Sequence, residues 1–517
     1  MAVVAPGVGA LAAAALAALA AIVPAVAAAQ APPPPAISAS VAIGGPDPVA
    51  PIPNGFLGLS IEYQSIAAIA GPPTDQNTVF DQLVRNLAPS QQPVLRIGGD
   101  STDHAWVPEP GLPGSPSLFW WLTPQWMSRV AALTSTLNAQ LILGINLEID
   151  RPRIAGTEAQ AMLNAFGADH IAAFEIGNEP DLYAALTWYT AGGGRQVLGR
   201  PPSYGFYDNA QELERAASVL PPLSLAGPAL GQTEWMPALG WLLDMFPAMQ
   251  IVTYHLYPLN RCFTSPGMST YPTISNLLST ASTDNLAAVI EPFAATAHAA
   301  GRKFRVDELN SVACAGQLGV SNTFASALWV LDTLFALVRD GADGVNVHTF
   351  QGAAYSLFSF ANAHGRWSGT VNPEYYGMLA FAQAAPPGAR LLRVVARENR
   401  QLRVWATRTP AGDTNVVLIN DDPAQAVNAM VRAPSAVATA QVELLRAPSV
   451  AATAGVTLGG AAFASPTTTG ELARTPQPER VSPTNGAYAV TVPAASAALL
   501  TVPPAGTATD QLAGLPR

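Results

Sequence analysis

Two glutamates stand where a pair of catalytic carboxylates would be needed: Glu179 in FEIGNEPDLY, residues 174–183, and Glu308 in KFRVDELNSVACAG, residues 303–316. Each closes a short apolar, β-rich run and precedes a polar loop. Hydrolysis of a glycosidic bond asks for such a pair: one carboxylic acid protonates the leaving oxygen, and one carboxylate attacks or stabilises the anomeric carbon. The first must hold its proton while the second stays ionised, so their environments must separate their pKa values. Glu179 is read as the acid/base and Glu308 as the nucleophile. Pro180 ends the strand, and Asn178 is suited to donate to a sugar hydroxyl beside the reacting carbon. His255 and Tyr257, in YHLYPL at 254–259, are suited to donate hydrogen bonds that keep Glu308 charged. Without the pairing, either glutamate reads as a solvated loop carboxylate.

What must position these groups is legible in the spacing of apolar runs. Eight short ones lie between residues 55 and 350, at 56–62, 94–99, 140–148, 171–177, 223–229, 251–257, 303–308 and 344–350. Helix-like stretches separate them, among them TVFDQLVRNLA (78–88), PQWMSRVAALTSTLN (124–138) and SNTFASALWVLDTLFALVRDG (321–341), with apolar residues spaced at three and four. Ser321 is read as the cap of the last and Gly341 as its stop. Eight β/α repeats close a (β/α)8 TIM barrel, whose strand C-termini carry the active site, so glutamates ending the fourth and seventh strands face one mouth. After about residue 390 the texture turns to alternating strands, LRVWATRT (402–409), TNVVLIND (414–421) and YAVTVPAASAALLTV (488–502), which predicts an antiparallel β-sandwich. AISASVAIGG (36–45) is an early strand expected to join that sheet. The domains are therefore read as a signal peptide at 1–29, a linker and strand at 30–45, the barrel at 46–385, the sandwich at 386–504 and a disordered tail at 505–517.

Bulk composition bounds the function. The chain has 517 residues, 49% hydrophobic and 12% charged, so it buries a large core and is no disordered polyelectrolyte. Net charge is −10 and Lys303 is the single lysine, which leaves nothing to attract nucleic acid or another polyanion. No partner protein is implied. The apolar Ala/Leu/Val segment before Gln30 reads as a secretory signal, which places the mature chain outside the cell and off the membrane. It lacks a preceding Lys or Arg, so a misassigned start or an uncleaved anchor is the alternative. Cys262 and Cys314 follow neighbouring strands, and export favours a disulfide between them over two buried thiols. No metal-ligand spacing such as HExxH occurs, so neither metal nor cofactor is expected.

GNEPD (177–181), LRIGGDSTD (95–103), YHLYPL, ELNSV (308–312) and DGVNVHTFQGAAYSLF (343–358) together resemble glycoside hydrolase family 79, the group of exo-β-glucuronidases and heparanase. The resemblance spans nearly the whole chain after the signal and implies a retaining exo-β-glucuronidase that acts on a glucuronide or a glucuronate-terminated glycan. It implies that Glu62 and Asp100 hold sugar hydroxyls, and that Tyr355 and the backbone amide of Cys314 hold the uronate carboxylate. Ala313-Cys314-Ala315-Gly316 stands where some members have a tyrosine followed by glycines. That departure motivates a rival reading, a retaining β-glycosidase for a neutral sugar such as a glucoside or xyloside. An inactive carbohydrate-binding scaffold is a third. Glu62 is alternatively a structural acid paired with Arg96, and His255 and His348 are alternatively core imidazoles bonded to backbone. Trp235 and Trp241 read as packing residues.

Overall fold

The computed structural model describes residues 36–112, 114–397, 401–434 and 438–504. The segment 1–29 read as a signal, the linker up to residue 35 and the tail 505–517 lie outside them. After a first strand β1 (Ile37–Pro46), eight strands form a closed parallel barrel in chain order: β2 (Leu57–Ile61), β3 (Val94–Ile97), β4 (Gln140–Ile145), β5 (Ile171–Ile176), β6 (Leu225–Leu230), β7 (Met249–Leu256), β8 (Lys303–Leu309) and β9 (Gly344–Thr349). These are the eight apolar runs. Parallel strands covered by helices are buried on both faces, so their sequences stay apolar without strict alternation.

An outer helix follows each strand: α1 (Thr78–Leu87), α2 (Pro124–Leu137), α3 (Pro152–Phe166), α4 (Phe206–Ala217), α5 (Leu239–Met245), α6 (Glu291–Ala299), α7 (Phe324–Arg339) and α8 (Pro373–Ala384). Local chemistry sets their starts. The Asn77 side chain accepts from the Phe80 N–H at 3.2 Å and Thr123 from the Trp126 N–H at 3.2 Å. Ser321 does not cap α7, which begins after Thr323; its hydroxyl accepts from the Gln317 N–H at 3.0 Å, within the preceding loop. Gly341 does end that helix. Its φ of 97° is left-handed, and the next N–H, of Ala342, returns to the Leu337 carbonyl at 2.9 Å. Gly377 lets α8 approach α7, since a Cβ there would lie 2.1 Å from the Ala327 carbonyl oxygen.

The second sheet comprises β10 (Arg390–Arg397), β11 (Leu402–Arg408), β12 (Thr414–Asn420), β13 (Val427–Arg432), β14 (Ala440–Arg446), β15 (Tyr488–Val492) and β16 (Ser496–Val502). The order is β14-β16-β12-β11-β10-β1-β13-β15, with Thr457–Leu458 and Glu479–Val481 flanking β14. Its two halves fold over a core of Val41, Val416, Leu418, Val431, Val490 and Leu500. Val417 and Ile419, on the opposite face of β12, pack into the barrel core, which is why TNVVLIN is buried throughout. One pairing departs from the antiparallel expectation: β1 runs antiparallel to β10 but parallel to β13, Ile37 opposite Val427. No hairpin joins β1 to β13, so nothing forces opposite directions. The run 488–502 also divides, with β15 pairing to β13 and β16 to β12 and β14. Among the described residues no helix is long and apolar enough to cross a membrane.

Candidate active site

The two glutamates reach one mouth by different backbone devices. Glu179 follows β5 with φ 49° and ψ 52°, a left-handed conformation that its N–H helps to hold by donating to the Ala229 carbonyl at 2.9 Å. Such a conformation costs a non-glycine residue energy, which the surroundings must offset. Glu308 depends on a bulge. Along β8, Phe304, Val306 and Leu309 pack outward into the helix-facing core, while Asp307 points inward. Simple alternation would then send Glu308 outward. Between Val306 and Leu309, however, β8 holds one residue more than the matching stretch Val345–Val347 of β9, so Asp307 and Glu308 both face the interior.

Inside the barrel they meet Arg96, which has no solvent exposure and sits on β3. Its Nε donates to Glu175 Oε2 at 2.7 Å and lies 3.1 Å from Asp307 Oδ2, and its Nη1 donates to Glu308 Oε2 at 2.5 Å. Nη2 donates to Asn178 Oδ1 at 2.9 Å. One guanidinium cannot neutralise three buried carboxylates, and a proton resolves the excess. Burial and then the charge of Glu175 push Asp307 well above the usual carboxylate range. Burial also pushes Glu175 up, but Arg96 and the Asp307 hydrogen bond outweigh it and hold the group below its ordinary value. Asp307 is therefore the neutral partner that donates to an ionised Glu175.

Glu308 is held ionised. Burial alone would raise it, but His348, His255 and Arg96, with the Tyr257 hydroxyl donating to Oε1 at 2.7 Å, bring it far below the usual carboxylate value. The Tyr257 hydroxyl therefore does reach Glu308. His255 does not donate to Glu308: its Nδ1 bonds Glu179 Oε1 at 2.9 Å, and its partners are side chains rather than backbone. Burial would lower His255, yet the Glu308 charge and the Glu179 hydrogen bond raise it to about 9, so it is an imidazolium bonded to Glu179 and facing the charge of Glu308. One ligating atom each from Glu179, His255 and Glu308 lies within 4.8 Å of the others.

Around this pair the remaining expected residues collect. Glu62 is not paired with Arg96; its oxygens accept from the backbone N–H groups of Asp100 (3.2 Å) and Ser101 (2.9 Å) and from the Ser101 hydroxyl. Gly99 permits this, because at φ 89° a Cβ would meet Glu62 Oε1 at 2.4 Å. Asp100 is exposed at the mouth, yet the protein packed around it and then Glu62, Glu179 and Glu308 push it up to about 8. Asn178 Nδ2 donates to Asp100 Oδ1 at 3.4 Å. His348 bonds Ser60 Oγ at 3.0 Å and lies 3.5 Å from Glu62. Tyr355 is buried against Tyr257, His348 and Phe350. Cys262 and Cys314 form a disulfide between the loops after β7 and β8, and Cys314, Ala315 and Gly316 have φ of 66°, 64° and 80°. Trp235 packs on Tyr204 and Phe206, and Trp241 on Phe206 and Tyr207.

Sequence reasoning passed over the interior set, Glu175 and Asp307, although each interrupts an apolar strand that has no solvent to offer. It also passed over Asp103, whose Oδ1 accepts from the N–H groups of Leu147 (2.9 Å) and Glu148 (3.0 Å). Asp103 Oδ2 accepts from Asn178 N–H (3.0 Å) and the Tyr183 hydroxyl (2.6 Å), which ties the loop bearing Glu179 to the loop after β4.

Comparison with known proteins finds similarity to glycoside hydrolases. The family described as "Glycosyl hydrolase family 79 C-terminal beta domain" matches residues 403–499. A β-glucuronidase of Aspergillus niger is 26% identical over 397 residues, 69% of each chain. One of Neurospora crassa is 27% identical over 389 residues, 68% of this chain and 67% of the relative. A 4-O-α-L-rhamnosyl-β-D-glucuronidase from Fusarium oxysporum superposes with a TM-score of 0.67 at 19% identity, covering 90% of this chain and all of the other. An arabinofuranosidase from Xanthomonas axonopodis pv. citri gives 0.59 at 15%, over 90% and 99%.

Two outcomes are expected. Asp307→Asn keeps the shape and donor of a protonated acid and should hold catalytic efficiency within about ten-fold, whereas Glu175→Gln leaves Arg96 underpaired and should cost about 3–5 kcal/mol in denaturant titration. Equal losses in both would contradict the assignment of the proton. Second, His255 (about 9), Asp181 (about 7) and Glu148 (about 10) bind protons more tightly folded than unfolded. The stability from His255 is complete below about pH 6.5 and lost as pH rises through about 9, and the raised carboxyls act in the same direction, so Tm should fall between about pH 5 and about pH 9. A flat or rising Tm over that range would refute it.

Proposed function

We propose that the chain is a member of glycoside hydrolase family 79 and, within it, a retaining exo-β-glucuronidase, exported from the cell, that removes terminal β-linked glucuronic acid. The observation that carries the retaining mechanism is the closeness of Glu179 and Glu308, whose oxygens lie within 4.8 Å. Retaining enzymes hold their carboxyl groups about 5–5.5 Å apart, and inverting ones leave room for a water at about 6.5–9.5 Å.

In this mechanism Glu308 Oε attacks the anomeric carbon as the C–O bond to the leaving group breaks, and the proton of Glu179 passes to the leaving oxygen. Water then adds from the side of Glu179, which takes a proton back, and Glu308 is released as carboxylate. Tyr257 and Arg96 hold Glu308 in place and ionised before attack. Asn178 and Asp100 line the cleft beside Glu179 and serve the sugar hydroxyls, with Glu62 beneath Asp100. For the uronate carboxylate the proposed partners are the Tyr355 hydroxyl and the Cys314 amide in the disulfide-stapled loop. The acidic chain disfavours endo-cleavage of a sulfated polymer, which needs a basic cleft. Ala313 favours one alternative, a neutral-sugar β-glycosidase, because a phenol found there in some members is missing.

Matched 4-nitrophenyl β-glucuronide, β-glucoside and β-xyloside separate the two, with kcat/KM expected to favour the glucuronide by at least about 100-fold. Glu308→Gln should abolish turnover, while Glu179→Gln should lose about 10²–10⁴-fold, and less on a 2,4-dinitrophenyl leaving group that needs little protonation. Preference for the glucoside or xyloside would replace the sugar assignment, and retained activity in Glu308→Gln would replace the mechanism.

A further inference from the structure

Beside the catalytic pair opens a cleft walled by the loops after β3, β4 and β5, with His104, Glu148, Glu179, Leu186 and Trp188 in its lining. Glu308, Tyr257 and Tyr355 do not line it, so it extends from the acid/base and not from the nucleophile. Asp100 and Asn178 close its inner end, toward the reacting sugar; since Glu179 must touch the glycosidic oxygen, the part of the cleft beyond Glu179, walled by His104, Glu148, Leu186 and Trp188, lies with the leaving group.

One wall is aromatic. Trp188 is anchored by its indole N–H, which donates to the Asp103 carbonyl at 3.1 Å. Its ring lies nearly parallel to that of His104, at 22° and 6.5 Å, and Phe119, itself 50% exposed, stacks on His104 at 4.3 Å. The outer pair Tyr207 and Trp241 makes a contrast, since those rings pack on each other and on Phe206.

The same cleft is lined by Glu148, only 7% exposed. Its carboxyl makes no hydrogen bond among the described residues, and Gly199 backs directly onto it, with room for no Cβ. A buried carboxyl without partners is costly, and it is aimed where a ligand would supply them. Burial and the Asp103 charge push it up to about 10, so it both donates and accepts. The nearest guanidinium, Arg200, is turned away to Glu212 at 2.8 Å and to the backbone carbonyls of Leu147, Glu148 and Gly199. His104 is held neutral by burial. Among the described residues that line the cleft there is therefore no cation to balance a sulfated or uronate ring.

We infer that this cleft is a leaving-group subsite for a neutral pyranose, which lays an apolar ring face against Trp188 and offers a hydroxyl to Glu148. A pyranose has one apolar face and a belt of hydroxyls, which suits a wall of each kind. The inference rests on the glucuronidase reading only for the identity of the sugar that is cleaved.

The test compares β-glucuronyl fluoride, whose leaving group is one atom, with a β-linked glucuronosyl-glucose disaccharide. In Trp188→Ala and Glu148→Ala, kcat/KM for the disaccharide should fall at least about ten-fold further than for the fluoride, chiefly through KM, and Trp188→Phe should restore most of it. The 6-O-sulfated glucose analogue should be a poorer substrate of the intact enzyme. Parallel losses on both substrates, no loss on either, or equal use of the sulfated analogue would overturn the subsite. Should the intact enzyme cleave neither glucuronide, the sugar assignment fails separately, and glucosyl fluoride and cellobiose carry the same comparison. Calorimetric binding of the disaccharide to Glu308→Gln, weakened by Trp188→Ala, reads the subsite without turnover.

Discussion

A single guanidinium with no access to water sets the terms for the rest of the site. Arg96 binds Glu175, Asp307 and Glu308 from two different strands and also fixes Asn178, the neighbour of Glu179. Buried ion pairs seldom repay their desolvation as stability, so this one is better understood through what it imposes on its partners. With Glu175 and Glu308 ionised and Asp307 neutral, the facing positive charge comes from His348 and His255 at Glu308 and from Arg96, which touches all three carboxyls. The group left next to the mouth is then a carboxylate unable to take a proton in the ordinary pH range. Pre-set charge of this kind needs no rearrangement at the moment of reaction.

The same centre explains backbone features that would otherwise be costs. The bulge in β8 puts Asp307 and Glu308 on one side of the strand, where both reach Arg96. The left-handed Glu179 turns its carboxyl to His255, which links it to the Asp307 end of the network. Above this floor the walls are loops with their own ties: Asp103 fastens the loop of Glu179 to that after β4, and the disulfide fastens the loops after β7 and β8. The floor determines ionisation, and the walls determine what fits.

Much of this was legible in the sequence. The eight runs are the eight barrel strands because parallel, helix-covered strands keep apolar residues on both faces. The two glutamates were found because they end such runs. What could not be read depends on ring closure and local register. Arg96, Glu175 and Asp307 are visible as charges inside apolar strands, but only the closed barrel makes them neighbours. Alternation, followed literally, sends Asp307 and Glu308 to opposite sides, and a bulge leaves no mark in residue types. His255 was read toward Glu308 because the strands adjoin, whereas its Nδ1 faces Glu179. The parallel pairing of β1 with β13 likewise follows from a strand arriving without a hairpin to set its direction.

The central claim is that Glu308, kept ionised by His348, His255 and Arg96, is the nucleophile that forms a covalent intermediate. Incubation with 2-deoxy-2-fluoro-β-glucuronyl fluoride, followed by intact-mass and peptide mass spectrometry, tests it directly, because the fluorine slows breakdown of the glycosyl-enzyme more than its formation. The account predicts one sugar per chain, carried on the peptide that contains Glu308, with activity lost in step. Labelling of a different carboxylate, or steady turnover of the reagent with no adduct at all, would contradict it.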